Sequence, residues 1–211
     1  MGKPAHRRTA DLWLAAGGLA LTAVSVWLSG SSVAGRVDSE VFTRINSLPD
    51  ILYRPLWVSQ LAGVLGAPVV VAVGALGARK FRLATALVLL VPAKLIVERG
   101  ILKALVNRER PGASIPGAVL RDAPAAGLSF PSGHAVILFG MVALLSPYLS
   151  RRWRAVILVI AVVAAAARIY LGAHSPLDVI GGAAAGLAIG ALLNLLVGVR
   201  GRADGVGRAS E

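Results

Sequence analysis

Long apolar runs separated by short polar punctuation dominate this chain. A helix that crosses a bilayer needs about 20 apolar residues, within a range of about 17–25. Six runs approach that length, at about 11–29, 57–78, 82–102, 134–150, 153–172 and 177–198. They predict an all-α fold, a six-transmembrane-helix bundle. The sixth run carries Gly181-Gly182-Ala183-Ala184-Ala185-Gly186. Such small residues let helices approach closely in lipid, so this helix is expected inside the bundle. The first run follows Lys3, Arg7 and Arg8 and is read as a retained helix. It is long for the apolar part of a signal peptide, and Ser29-Gly30-Ser31-Ser32 is a poor cleavage signal.

The connections differ in character. Val37 to Leu48 mixes charges with Val41, Phe42 and Ile45, which fits an amphipathic helix at the membrane interface or an ordinary loop. Residues 107–132 form a long connection holding Pro111, Pro116, Pro124 and Pro131, and such a length is usually functional or mobile. The segment 201–211 is rich in Gly, Arg and Ala and is expected to be disordered. Residues 1–200 then make one membrane domain, with no internal repeat and no soluble domain.

Composition supports lipid as the main solvent. Of 211 residues, 56% are apolar, against about 45–50% in soluble domains, and mean hydropathy is +0.75. The net charge of +12 raises the question of nucleic acid. The basic residues lie between apolar runs rather than on a soluble face, so they are read as topology signals and no nucleic-acid partner is expected. The absence of cysteine excludes disulfides and thiolate sites.

Those signals orient the bundle. Lys3, Arg7 and Arg8, then Arg79, Lys80 and Arg82, then Arg151, Arg152 and Arg154, then Arg200, Arg202 and Arg208 fall on one side of an even number of spans. The first opposite connection balances Arg36, Arg44 and Arg54 with Asp38, Glu40 and Asp50. Both termini are therefore expected in the cytoplasm. Three clusters of chemically active residues then meet at the extracytoplasmic interface.

The first cluster runs from Lys103 to Arg110-Pro111. Lys103 and Arg110 are about two helical turns apart and share a face if the helix continues, although Pro111 discourages helix at Arg110. A basic stop snorkelling to headgroups is the simpler explanation of this cluster taken alone. The second is Pro131-Ser132-Gly133-His134, which opens span four. Ser132 suits an N-cap, Gly133 permits close approach to the backbone, and a helix N-terminus attracts an anion. The third is Arg168 with His174-Ser175-Pro176-Leu177-Asp178. Ser175, Pro176 and Asp178 make good helix-start chemistry. His174 and Arg168 are not explained that way. One helical turn separates His174 from Asp178, so a carboxylate can orient an imidazole whose other nitrogen is a nucleophile.

Taken together, Lys103, Arg110 and Arg168 with the Ser132–His134 backbone would neutralise a phosphoryl group in transfer. His174 is placed to attack phosphorus and His134 to protonate the leaving oxygen. No carboxylate cluster suggests a metal, and no cofactor is expected.

In order and spacing, Lys103-x6-Arg110-Pro111, Pro131-Ser132-Gly133-His134 and Arg168-x5-His174-x3-Asp178 resemble the type 2 phosphatidic acid phosphatase superfamily, the lipid phosphate phosphatases. The resemblance implies metal-independent hydrolysis of a lipid phosphomonoester or diphosphate through a phosphohistidine. It implies His174 as nucleophile, Asp178 as its partner, and His134 as acid. Lys103, Arg110, Ser132, Gly133 and Arg168 would hold phosphate. One departure stands out: Ala167 occupies the place where the family usually has serine before the arginine. The implied substrate is polyprenyl diphosphate, with phosphatidic acid, phosphatidylglycerol phosphate and lysolipid phosphates as competitors. A small anion transporter is the alternative from another class. Its expected marks, repeated halves and broken helices at mid-membrane, are not visible in the sequence. Lys94 and Glu98, four apart on span three after Pro92, read as a buried ion pair facing the bundle or as a polar wall under the headgroup pocket.

Overall fold

A computed structural model describes residues 5, 6 and 8–200. The expected disordered tail at 201–211, with Arg202 and Arg208, and the basic residues Lys3 and Arg7 lie outside the described residues. Ten α-helices carry the described fold: α1 Thr9–Ser29, α2 Ser32–Asn46, α3 Tyr53–Gln60, α4 Ala67–Gly77, α5 Phe81–Leu95, α6 Lys103–Leu105, α7 Pro111–Ser114, α8 Gly133–Leu145, α9 Arg151–Tyr170 and α10 Pro176–Val197. A π-helical segment, Ile96–Leu102, joins α5 to α6. The one sheet among the described residues is a two-residue antiparallel pair, β1 Ala5–His6 with β2 Val199–Arg200. That pairing brings the two ends of the described chain to the same end of the bundle.

Among the described residues, α1, α9 and α10 are long and apolar enough to cross a membrane. The segment expected at 57–78 is not one straight span. It is broken into Asp50–Gly63 and Ala67–Gly77, bent by 62°. Pro68, at the start of α4, removes a backbone donor where a continuous helix would need one. The segment expected at 134–150 is α-helical to Leu145 and closes with a 3-10 turn over Ser146–Tyr148, where Pro147 interrupts the ladder. The segment expected at 82–102 runs from α5 into the π-helical turn.

The alternatives for Val37–Leu48 resolve to helix. It begins earlier than expected because the Ser31 hydroxyl caps it, accepting from the Ala34 N–H at 3.4 Å. The 107–132 connection is tied down rather than free. The Asn46 side chain donates to the carbonyls of Val119 and Tyr170 and accepts from the Val119 N–H. Arg121 donates to the carbonyls of Asn46 and Tyr170, pairs with Asp50 and lies 4.2 Å over the Tyr170 ring.

The bundle is built around α10, as its small residues predict. It packs along α8 on one side and α1 on the other. A Cβ on Gly186 would press into the Val136 carbonyl oxygen, and one on Gly190 would lie 2.6 Å from that of Gly140. On the other side, a Cβ on Gly18 of α1 would lie 2.8 Å from the Ala184 carbonyl oxygen. The run read as a retained helix is thus a packed member of the bundle. Outward positions are large and apolar, with Trp13 76%, Trp27 74% and Val70 73% exposed. An exposed apolar surface with a small-residue interior suits a lipid environment.

Candidate active site

The three clusters converge at one end of the bundle, each brought there by a different local device. The helix carrying Lys103 stops at Leu105. Val106 is extended. Arg110, with φ −72° and ψ 154°, is extended too, as a residue ahead of proline tends to be. Lys103 and Arg110 therefore do not share a helix face. Arg110 instead reaches across the end of the bundle, and its Nη1 donates to the Ala173 carbonyl at 2.8 Å, one residue from His174.

The turn between α9 and α10 presents His174. The Arg168 carbonyl accepts from the Ala173 and His174 N–H groups at 3.0 and 3.2 Å, which closes the helix C-terminus. Gly172 sits at φ +82°, a conformation that favours glycine. A Cβ there would lie 2.5 Å from the Val119 carbonyl oxygen. His174 is 3% exposed, and burial pushes its imidazole below the usual range although Asp178 opposes the shift. Burial also lowers Arg110 from its ordinary value, a change that leaves a guanidinium charged at neutral pH.

Asp178 is more heavily engaged than the sequence suggests. Its carboxylate accepts from the Ser175 N–H at 2.8 Å, from Arg108 Nη1 at 3.1 Å and from the Ser129 hydroxyl. His174 Nδ1 lies 3.7 Å from Asp178 Oδ2, beyond hydrogen-bond length. That nitrogen has no hydrogen-bond partner. The carboxylate is thus held firmly beside the imidazole rather than bonded to it. The other ring nitrogen, Nε2, is left for chemistry.

Ser132 precedes α8 as its N-cap residue, yet its hydroxyl makes no cap bond and is buried without a partner. Its N–H donates to the Asp178 carbonyl at 2.9 Å, which fixes the start of α8 against the start of α10. His134, the second residue of α8, lies within electrostatic reach of His174 and Arg168. Arg168 Nη1 bonds to Gln60 Oε1, while its Nε is buried and unpartnered. Ala167, in place of the family serine, is fully buried. Lys103 Nζ is 2.9 Å from Glu98, which also pairs with Lys94. The Glu98 carboxylate rests against Gly133, where a Cβ would meet its two oxygens at 2.8 and 2.9 Å. Lys94 and Glu98 are therefore a buried ion pair, with the carboxylate packed against the start of α8.

Sequence reasoning missed four contributors. Arg108 bridges Asp178 to Asp38 of α2, and Asp38 also accepts from the Leu177 N–H at 2.7 Å. Ser129 bonds Asp178, and Gln60 bonds Arg168. Arg108 and Ser129 lie beside the motifs and were within view. Asp38 and Gln60 carry no local signal.

The collected groups are three cations, a helix N-terminus, two imidazoles and a fixed carboxylate. Buried polar groups nearly always find partners. Ser132 Oγ, Arg168 Nε and His174 Nδ1 lack them within this one cluster. Among the described residues, no group of three or more His, Cys, Asp and Glu could hold a metal ion.

Comparison with known proteins agrees with the family that the motifs resemble. Residues 78–202 match the family model described as the PAP2 superfamily. The crystal structure of Aquifex aeolicus LpxE is similar, with TM-score 0.67 and 26% identity over 73% of this chain and 92% of that one. So is the crystal structure of the first transmembrane PAP2 type phosphatidylglycerolphosphate phosphatase from Bacillus subtilis, with TM-score 0.70 over 84% of this chain and 94% of that one. Its identity is 20%, so this second likeness speaks for the fold alone. None of the curated proteins matches the chain significantly.

Proposed function

The chain belongs to the PAP2 superfamily, and from that premise we propose that it hydrolyses a lipid phosphomonoester or diphosphate through a phosphohistidine. The observation that carries this reading is the convergence on one loop. Arg110 binds the carbonyl beside His174, Arg168 anchors the same turn, and the α8 N-terminus is bonded to Asp178.

In the proposed reaction, Arg110, Arg168, Lys103 and the Ser132–Gly133 backbone hold the phosphoryl oxygens and offset the charge of the transition state. Nε2 of neutral His174 attacks phosphorus while the bond to the leaving oxygen breaks. His134 gives that oxygen a proton, so the lipid departs as an alcohol, or as the monophosphate when a diphosphate is cut. His134, now neutral, takes a proton from water as the water attacks the phosphohistidine. Inorganic phosphate leaves and His174 is restored. Asp178 stabilises the ring as it gains positive charge. No step calls for a metal, because the cations are supplied by side chains.

The substrate is an amphiphile whose phosphate sits at headgroup level. The site is proposed to face the extracytoplasmic side, with both termini in the cytoplasm. The pairing of Ala5–His6 with Val199–Arg200 supports placing the termini on one side, and basic connections support which side it is. Polyprenyl diphosphate is the leading substrate. Phosphatidylglycerolphosphate, a lipid phosphomonoester of the same headgroup chemistry, is the second reading.

The test is purified protein in detergent against a panel containing polyprenyl diphosphate, phosphatidylglycerolphosphate, phosphatidic acid and lysophosphatidic acid. Phosphate release from at least one is expected. No release from any of them, with solute flux in vesicles instead, would support the transporter reading and overturn this one.

A further inference from the structure

Among the described residues, Glu98 is an acidic side chain set against the proposed phosphate pocket that the reaction does not use. It is 4% exposed and lies on the π-helical segment Ile96–Leu102. It pairs at once with Lys94, four residues before it, and with Lys103, five residues after it. In an unbroken α-helix, residues five apart point about 140° away from each other. A π-helix closes its hydrogen bonds five residues apart, so it brings that spacing closer to one face, and such turns are frequent at functional sites. The local winding therefore makes this three-member ion chain possible. Its middle member touches the start of α8, since the Glu98 oxygens lie against Gly133.

We infer that Glu98 is a positioning residue, which with its π-turn steers the Lys103 ammonium onto the N-terminus of α8 so that an incoming phosphate meets it there. The inference rests on the phosphatase reading above. Lysine is a point charge on a flexible stem with several rotatable bonds. Left untethered near a membrane interface, Lys103 would snorkel toward the headgroups. Glu98 holds it inward. Lys94 supplies a second cation against the one carboxylate, so the three-member set carries net positive charge and still attracts an anion.

The experiment measures inhibition by inorganic phosphate, with the dephosphorylated lipid followed from dioctanoyl phosphatidic acid or whichever panel lipid the wild type turns over. Glu98→Gln keeps the shape and removes the charge. The phosphate Ki and the lipid KM are expected to rise about 10-fold, with a smaller change in kcat. Lys103→Met should raise Ki alike, and the double variant should add little, because both remove the same contact. Replacing a buried ion pair by apolar residues of similar volume is often neutral for folding. Lys94→Met with Glu98→Met is therefore a second route if the single variant does not fold, and it too should raise Ki. A Ki unchanged within about 2-fold would leave Glu98 a purely structural residue and overturn the inference. So would a tighter Ki, which would make Glu98 a competitor of phosphate, or full additivity with Lys103→Met. A wild type inactive on every lipid would instead overturn the phosphatase reading itself.

Discussion

Arg108→Ala tests the least obvious part of the site. The Arg108 guanidinium bridges two carboxylates, Asp178 and Asp38, whose side chains are 1% and 5% exposed, while its own is 19% exposed. Removing one partner of a buried ion pair costs about 3–5 kcal/mol, because it strands the other charge. Partial exposure of Arg108 lets water replace some of what is lost. The surviving donors also help: the Ser175 N–H and Ser129 hydroxyl on Asp178, and the Leu177 N–H on Asp38. The expected cost therefore lies at the low end, about 3 kcal/mol, or roughly 150-fold in the ratio of folded to unfolded protein. Unfolding by sodium dodecyl sulfate in mixed micelles, followed by tryptophan fluorescence, measures it. Asp38→Asn added to Arg108→Ala should recover part of the loss, since one stranded charge disappears. A cost under about 0.5 kcal/mol for Arg108→Ala, or strict additivity of the two changes, would refute the bridge as an energetic element.

Four further outcomes are expected. His174→Ala should lower phosphate release at least ~100-fold while the protein still folds, and near-normal turnover would remove His174 from the nucleophile role. Excess chelator should leave the rate unchanged, whereas a strict requirement for Mg²⁺ would contradict a site whose cations are side chains. Gly186→Leu should destabilise by about 1–3 kcal/mol or more, because its Cβ would press on the Val136 carbonyl; Gly17→Leu, with nothing within 4 Å, is its near-neutral control. The pH dependence follows from His174: with a folded pKa below the unfolded value, the unfolded chain takes up its proton first as pH falls. The stability associated with the neutral ring is complete above about pH 6.5 and declines as pH drops through that value toward the lower folded one. His174→Gln should flatten this decline, as measured by unfolding at about pH 7 and about pH 5, and an unchanged slope would show that His174 is not the group responsible.

How far the sequence could be read depended on how local each feature was. Ser132-Gly133-His134 and His174 through Asp178 each lie within a few residues at a helix start, where position in the chain fixes position in space. Their convergence followed from the expected topology. Arg110 was legible as a site residue but not in its geometry. The helix already stops at Leu105, and Pro111 keeps Arg110 extended, so its side chain reaches across to Ala173 rather than along a helix face. The break at Val64–Gly66 was hidden by continuous hydrophobicity, which measures affinity for lipid and not straightness. Asp38 and Gln60 were illegible for a plainer reason. They meet Arg108 and Arg168 across 70 and 108 residues of chain, and nothing near either one marks it as a partner. Glu98 was visible as an ion pair with Lys94. Its contact with Lys103 required a π-turn, which sequence spacing reads as the wrong face.

The glycines of α10 explain why such dispersed groups can act together. In lipid, apolar helices gain little by burying apolar surface, so close packing must define how they sit against one another. Gly182, Gly186 and Gly190 recur one turn apart. A Cβ on Gly182 or Gly190 would stand 2.6 Å from the carbonyl oxygen of Ser132 or Gly140 on the α8 side, and one on Gly186 would come closer still to that of Val136. Each glycine thus admits one turn of the facing backbone. A slip of one turn would move α8 by about 5.4 Å along α10. That shift would break the Ser132 N–H bond to the Asp178 carbonyl and carry His134 away from His174. The same two helices begin with the two reactive motifs, so the register that fills the bundle also sets the distance across the site. A bulky residue at Gly182, beside Ser132, should therefore depress turnover more than one at Gly190, even where the two lose equal stability. Equal losses of turnover at matched stability would show that helix register and site geometry are independent.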